Sequence, residues 1–212
     1  MESNEKKRLV VGISGASGAI LGIDLLKAMQ GFPDWETHLV VSNGGRRTIA
    51  HETPYSMEEV AALATRMHPI EDVGALVASG TFRTAGMVVV PCSMKTVAGI
   101  ATGYSENLLL RAADVVIKER RKLVLVARES PLSPVHLRNM QAVTEMGVIL
   151  LPPVLTFYNH PATIEDMTRH IIGKVLDVFG LEMPRFNRWN DALTAIPARG
   201  SQVDGAGYLA RP

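Results

Sequence analysis

A glycine-rich break between two apolar runs, Gly12-Ile13-Ser14-Gly15-Ala16-Ser17-Gly18, presents bare backbone N–H groups where helical spacing is about to begin. Such a turn suits an anion, because unpaired N–H groups and the positive end of a helix dipole meet there. Gly15 and Gly18 permit close approach of a ligand to the backbone, and Ser17 adds a hydroxyl donor. The glycines recur as G-x-x-G-x-x-G, not as the G-x-G-x-x-G of dinucleotide sites. The second apolar run closes in Ser42-Asn43, where a dinucleotide fold offers the ribose a carboxylate, and no Walker lysine follows the turn. The pattern points to a mononucleotide or another phosphate ligand. Its bland alternative is that the glycines serve only tight helix–strand packing.

Other groups of this kind sit where further apolar runs end. Cys92, Ser93, Met94, Lys95 and Thr96 form a hydroxyl-rich turn after one run, and Arg128 with Glu129 follows another. An arginine beside a glutamate there is either a phosphate clamp next to a proton-transfer group or a salt bridge at a sheet edge. Arg111, Asp114 and Lys118 fall at i, i+3 and i+7, one polar stripe on an aliphatic helix. That stripe is either a surface ion-pair ladder or a basic face turned toward a shared site. Glu52 in "AHETPYS" is placed in irregular chain after the second strand, and Tyr158 in "LTFYNHP" just beyond the fifth; both could lean over one crevice. The six histidines lack metal-ligand spacing, and Cys92 has no evident base beside it and reads as a core residue.

The elements that must position these groups alternate. Strands are expected over 8–13, 37–43, 86–93, 122–129 and the run "VILLPPV". Helices are expected over 18–29, after Ser56 with its capping-box Glu59, from Ser105, from Ser133-Pro134 to Gly147, and from Thr163 to Gly180. Strands alternating with helices predict an α/β fold, a mainly parallel sheet with helices on both faces, with ligands at the carboxyl ends of the strands. The expected organisation is a single three-layer, Rossmann-like (flavodoxin-like) domain over 1–189 and a tail or oligomer arm over 190–212, where periodicity is lost.

Composition narrows the classes. Of 212 residues 47% are hydrophobic and only 5% aromatic, which fits an aliphatic core and excludes disorder. A positive mean hydropathy without a spanning segment implies apolar surface shared between subunits. A net charge of +1 provides no field for nucleic acid or an anionic membrane. One cysteine allows no internal disulfide, so a reducing cytoplasm is expected. Lys6, Lys7 and Arg8 mimic the start of a signal peptide, but Ser14, Gly15, Ser17 and Gly18 interrupt its apolar region.

Taken together, "GISGASGA", "THLVVS", "HET", "VPCSMKT", "LLLRAADVVIKERRKLVLVARESPL", "PPVLTFYNHP" and "FNRW" resemble the flavin prenyltransferases of the UbiX type, over roughly residues 8–189. The resemblance implies transfer of a dimethylallyl group from dimethylallyl phosphate to N5 of reduced FMN, with ring closure at C6 and no metal. It also implies a product, prenylated FMN, that serves a UbiD-type decarboxylase in ubiquinone synthesis or aromatic acid decarboxylation. A cytoplasmic homo-oligomer, commonly a dodecamer with sites at subunit junctions, goes with it. By motif, Gly15, Ala16, Ser17, Ser42, Ser93, Met94, Lys95, Thr96 and Arg128 would hold the flavin. Arg111, Lys118, Tyr158 and Lys174 would surround the allylic phosphate, and Trp189 would wall the prenyl pocket. Glu52 and Glu129 would be the acid–base groups, with Ser17 relaying a proton. Two alternatives accompany this reading. A flavin-dependent cysteine decarboxylase resembles the chain at the glycine turn, but "PCSMKT" lacks that group's asparagine and the first helix lacks its histidine. A non-catalytic FMN carrier would have no use for Arg111, Lys118 and Lys174.

Overall fold

Along each buried strand, successive apolar side chains point to opposite faces, and the two sets build two separate cores. In β1 (Lys7–Ile13), Leu9, Val11 and Ile13 enter one core and Val10 the other. The same alternation divides Val88 and Val90 from Met87 and Val89 in β4 (Gly86–Cys92), and Val124 and Val126 from Leu123 and Leu125 in β5 (Lys122–Ala127). Near-continuous apolar sequence is therefore the signature of a sheet covered on both sides. The computed structural model describes residues 6–184 together with Phe186 and Arg188.

The remaining strands are β2 (Trp35–Val41), β3 (Arg66–His68) and β6 (Ile149–Leu150). Six strands lie in the order β3-β2-β1-β4-β5-β6, and every described pairing is parallel. One face carries α1 (Ala19–Met29), α2 (Asn43–Glu52), α3 (Met57–Ala62) and α7 (Ile164–Val178), through Ile23, Ile49, Val60 and Ile172 among others. The other carries α4 (Met94–Ala101), α5 (Leu108–Lys118) and α6 (Pro134–Glu145), through Val97, Leu109 and Val143. This is a doubly wound three-layer sandwich. Without the short edge strand β3, the remaining five strands follow the flavodoxin order 2-1-3-4-5.

Several expectations hold to within a residue or two. Ser133 caps α6 and Gly147 follows it at φ 86°, while Thr163 caps α7 and Gly180 follows at φ 71°. Others are corrected. Glu52 does not lie in irregular chain: it ends α2, a helix whose opening Asn43-Gly44-Gly45 and few apolar residues hide its periodicity. The turn after β4 becomes α4 at once, and α5 begins after Asn107, not Ser105. β3 escapes notice because three residues carry no period, and β6 shortens where Pro152-Pro153 withdraw N–H groups from the ladder. The expected arm over 190–212 lies outside the described residues.

A buried histidine pair sits in this largely aliphatic sheet. His38 of β2 and His68 of β3 face each other, Nδ1 to Nε2 at 2.9 Å, under the edge of the Phe82 ring. His38 Nε2 is buried without a partner. Burial first, and then the neighbouring His68, hold the His38 imidazole down at about 4, against an ordinary 6.5. Burial and Arg66 push His68 in the same direction. The unfolded chain therefore takes up the proton first, and stability falls as pH drops from about 6.5 through about 4. Chemical denaturation across that window should show a loss of a few kcal/mol, and His38→Leu should flatten it; an equal slope in the variant would assign the acid sensitivity to other groups.

Candidate functional site

The strand order reverses between β1 and β4, and at their carboxyl ends the chain opens a crevice. Ser14 ties the two tips together: its hydroxyl donates to the Pro91 carbonyl at 3.0 Å and accepts from the Ser93 N–H at 2.8 Å. On the other side, the Ser42 N–H donates to the Ile13 carbonyl at 2.9 Å. Three helices begin along this line. Ser42 Oγ caps α2 by accepting from the Gly45 N–H at 3.0 Å, and Ser93 Oγ caps α4 by accepting from Thr96 at 3.3 Å. Asn107 Oδ1 caps α5 by accepting from Leu110 at 3.1 Å. Their positive ends converge on a cavity of about 520 Å³, walled by Gly15, Ser42, Gly44, Ser93, Lys95 and Thr96 and, on the far rim, by Glu71, Glu106 and Asn107.

Gly15 faces this cavity, yet its first duty is packing. A Cβ there would stand 2.9 Å from the Gly44 Cα, and one on Gly44 would stand 3.1 Å from the Gly15 Cα. The two loops touch backbone to backbone, so both positions exclude side chains. Packing thus accounts for Gly15, and the same lack of a side chain leaves its backbone open to the cavity.

A carboxylate of the chain itself lies at the start of α1. Gly18 occupies the N-cap at φ 100° without a side-chain cap, and the Glu52 carboxylate covers the helix end instead. Its Oε2 accepts from the Gly18 N–H at 2.8 Å and the Ala19 N–H at 3.2 Å, and Ser17 adds its hydroxyl. Partial burial pushes the Glu52 carboxyl up, but these hydrogen bonds and the Arg128 guanidinium outweigh it and hold the group below its ordinary range. Ser17, Glu52 and Arg128 therefore form one cluster, at the end of α1 that meets β1.

The other predicted residues divide. Lys95 and Thr96 line the crevice, whereas Met94 sends its side chain into the core and Ala16 is buried. Glu129 is exposed and, among the described residues, accepts only from the N–H of its neighbour Ser130, at 3.0 Å, whereas Ser17 is paired with Glu52. Arg111 forms an ion pair with Asp114 at 2.6 Å, the ladder reading of that stripe. Lys118 pairs with Glu119 at the far end of α5, about 15 Å of helix from the crevice. Tyr158 meets His170 of α7, and the charge of Lys174, four residues further along that helix, acts on the same imidazole. Cys92 is fully buried and its thiol is pushed up by burial, in keeping with a core role. Trp189 lies outside the described residues.

Sequence reading missed Asn107, Gly44 and His170. Asn107 was legible as an N-cap residue ahead of an apolar run, and Gly44-Gly45 as a close-approach doublet after Ser42. Nothing local singles out His170, because its partners arrive from the preceding loop.

A model of the Flavoprotein family matches residues 1–177. The chain is 56% identical to a probable UbiX-like flavin prenyltransferase of Escherichia coli over 182 residues, 86% of this chain and 92% of that protein. Among solved structures, a dodecameric FMN-dependent UbiX-like decarboxylase from Escherichia coli O157:H7 superposes with a TM-score of 0.85 at 55% identity, covering 86% of this chain and 99% of the other. A UbiX crystallised with FMN and dimethylallyl pyrophosphate gives a TM-score of 0.85 at 50% identity, covering 87% and 98%.

The two acidic groups assigned by motif sit so differently that stability separates them. Glu52→Ala should lower the unfolding free energy by about 1 kcal/mol, the usual cost of a lost N-cap. Glu129→Ala should leave it unchanged within experimental scatter. Equal denaturation midpoints for wild type and Glu52→Ala would show that the carboxylate does not hold the start of α1.

Proposed function

As the chain belongs to the family of UbiX-like flavin prenyltransferases, we propose that it transfers a dimethylallyl group from dimethylallyl phosphate to N5 and C6 of reduced FMN. The observation that carries this reading is the crevice itself, where three helix N-termini face a cavity of about 520 Å³ beside the Ser17–Glu52–Arg128 cluster. FMN fits the residues present. Side-chain-free walls at Gly15 and Gly44 admit a flat ring system, and the capped starts of α2 and α4 offer donors to its phosphate. Gly15, Ser42, Ser93, Lys95 and Thr96 would hold it, with Arg128 near the reacting end; Met94 and Ala16 contribute through backbone alone. When bound, reduced flavin supplies the electron-rich N5 and C6.

The protein's part is to let phosphate depart and to manage protons. Lys174 and the Tyr158 hydroxyl offer a cation and a donor to the leaving oxyanion, which lowers the barrier most in a water-poor site. Glu52, ionised and held by three donors, is poised to take a proton rather than give one. Glu129, one of the two carboxyl groups that the resemblance assigns to acid–base work, would supply a proton to the phosphate once assembly and substrate remove it from water. Lys118 lies too far along α5 to serve its own chain's crevice, and Arg111, one residue past Leu110 of the wall, is paired with Asp114, so in this reading both serve a neighbour's. A homo-oligomer, a dodecamer like the relative from Escherichia coli, would also cover Val154, Leu155, Phe157 and Ile164, which are 51–74% exposed. The prenylated FMN would pass to a UbiD-type decarboxylase in the cytoplasm. No described helix is long and apolar enough to cross a membrane.

Anaerobic incubation with reduced FMN and dimethylallyl phosphate should yield a flavin heavier by one five-carbon unit. Bound but unaltered flavin would favour a carrier, and carbon dioxide released from a cysteine peptide would favour a decarboxylase. Lys118→Ala should raise KM for the allylic phosphate on the order of tenfold while leaving FMN affinity within about twofold. Equal weakening of both ligands would reject separate subsites. Glu129→Gln should keep FMN bound and slow transfer on the order of a hundredfold.

A further inference from the structure

His170 is buried in α7, 6% exposed, and its two ring nitrogens have different partners. Nε2 lies 3.3 Å from the Tyr158 hydroxyl, with the two rings edge to face at 86°. Nδ1 lies 3.5 Å from Asn159 Nδ2. The Asn159 amide is itself oriented, because its Oδ1 accepts from the Thr156 hydroxyl at 3.4 Å. Phe186 closes the outer side of the imidazole at 5.2 Å between ring centres, in space that Gly173 leaves open. A Cβ on Gly173 would stand 2.3 Å from the Phe186 ring.

These contacts have a direction. Thr156 donates to Asn159 Oδ1, which leaves the amide NH₂ facing His170 Nδ1. An amide NH₂ can only donate, so Nδ1 accepts and the imidazole hydrogen resides on Nε2. Nε2–H then donates to the Tyr158 oxygen, and the phenol hydrogen is directed away from the imidazole. In the opposite tautomer the phenol would donate to Nε2 and turn only lone pairs toward any approaching oxyanion. Burial, with the Lys174 charge, keeps the ring toward its neutral form, which is the form that has tautomers at all.

We infer that His170 is a positioning residue for prenyl transfer: the chain Thr156–Asn159–His170 fixes the polarity of the Tyr158 hydroxyl, so that it donates to the departing phosphate. This rests on the reading that Tyr158 meets that phosphate. His170 itself touches neither ligand, and its contribution runs wholly through Tyr158.

Two measurements test it. In ¹⁵N spectra of histidine-labelled protein, His170 should show the Nε2–H tautomer, and Asn159→Asp, whose carboxylate accepts from Nδ1–H, should move the hydrogen to Nδ1. An Nδ1–H tautomer in the wild type overturns the inference whatever the kinetics. In turnover with reduced FMN and dimethylallyl phosphate, Tyr158→Phe, His170→Leu and Asn159→Asp should each lower kcat on the order of tenfold or more, with FMN affinity kept. His170→Gln, still able to donate to Tyr158, should recover part of the loss. Adding His170→Leu to Tyr158→Phe should cost nothing further, because a group acting through the phenol has no role without it. Losses that multiply would make His170 a structural residue and overturn the inference alone. Wild-type protein that forms no prenylated flavin would instead overturn the prenyl-transfer reading on which it rests.

Discussion

The backbone-to-backbone contact between Gly15 and Gly44 is the constraint on which the crevice depends. It lets the loop after β1 lie against the start of α2, while the Ser14 hydroxyl draws the tips of β1 and β4 together on the other flank. With three strand ends gathered in this way, the starts of α2 and α4 cannot diverge, and the capped start of α5 closes the third side. Each helix end is worth little alone in water. Converging on one cavity, where solvent screening is reduced, their dipoles favour a negative group far more than any one would. A methyl group at Gly15 would spread the tips before it touched a ligand.

The placement of Glu52 follows from the same economy of donors. The start of α1 has no side-chain cap of its own, since Gly18 offers none, and its unpaired N–H groups need an acceptor. A carboxylate brought back by the end of α2 supplies one, and Ser17 and Arg128 complete its surroundings. The chain thus separates two tasks that the glycine turn alone left merged. α1 holds an internal carboxylate, and the starts of the neighbouring helices face the cavity.

How much of this could be read from the sequence depended on how local each cause was. Burial on both faces of the sheet was legible in Met87 through Cys92, because covering two sides erases polar alternation. The capping box at Ser56 and the cap at Thr163 marked helix starts, since a cap and the N–H it accepts from lie within one turn. α2 was not legible: its buried positions are only Gly45 and Ile49, too few to show a period. The site followed the same rule. Ser42, Ser93 and Thr96 were found at strand ends, where any ligand of such a sheet must bind. The pairing of Glu52 with Gly18 spans 34 residues and that of Tyr158 with His170 spans 12, and no spacing in the chain announces either.

Helix α5 runs from the crevice, at the carboxyl ends of the strands, back toward the amino end of β5. Its first turn, through Asn107, Leu109 and Leu110, belongs to the cavity wall, and its last residue is Lys118. A rigid helix cannot bring both ends to one point, so the charge at Lys118 acts on different surroundings from those of the first turn, while Arg111, one residue past Leu110, is drawn to Asp114. Within the chain they are neutralised by Asp114 and Glu119, pairs whose exposure makes each weak. Weak pairs are what a shared site needs. A phosphate presented by a neighbouring crevice could draw either cation from its carboxylate at small cost, whereas a buried, fully bonded pair would resist. The exposed Val154, Leu155 and Phe157 lie on the loop that also carries Tyr158. Burying that apolar stretch against another copy would hold Tyr158 and exclude water from the phosphate in the same step. Assembly and catalysis would then be coupled through one loop, which is why the oligomer is part of the proposed chemistry.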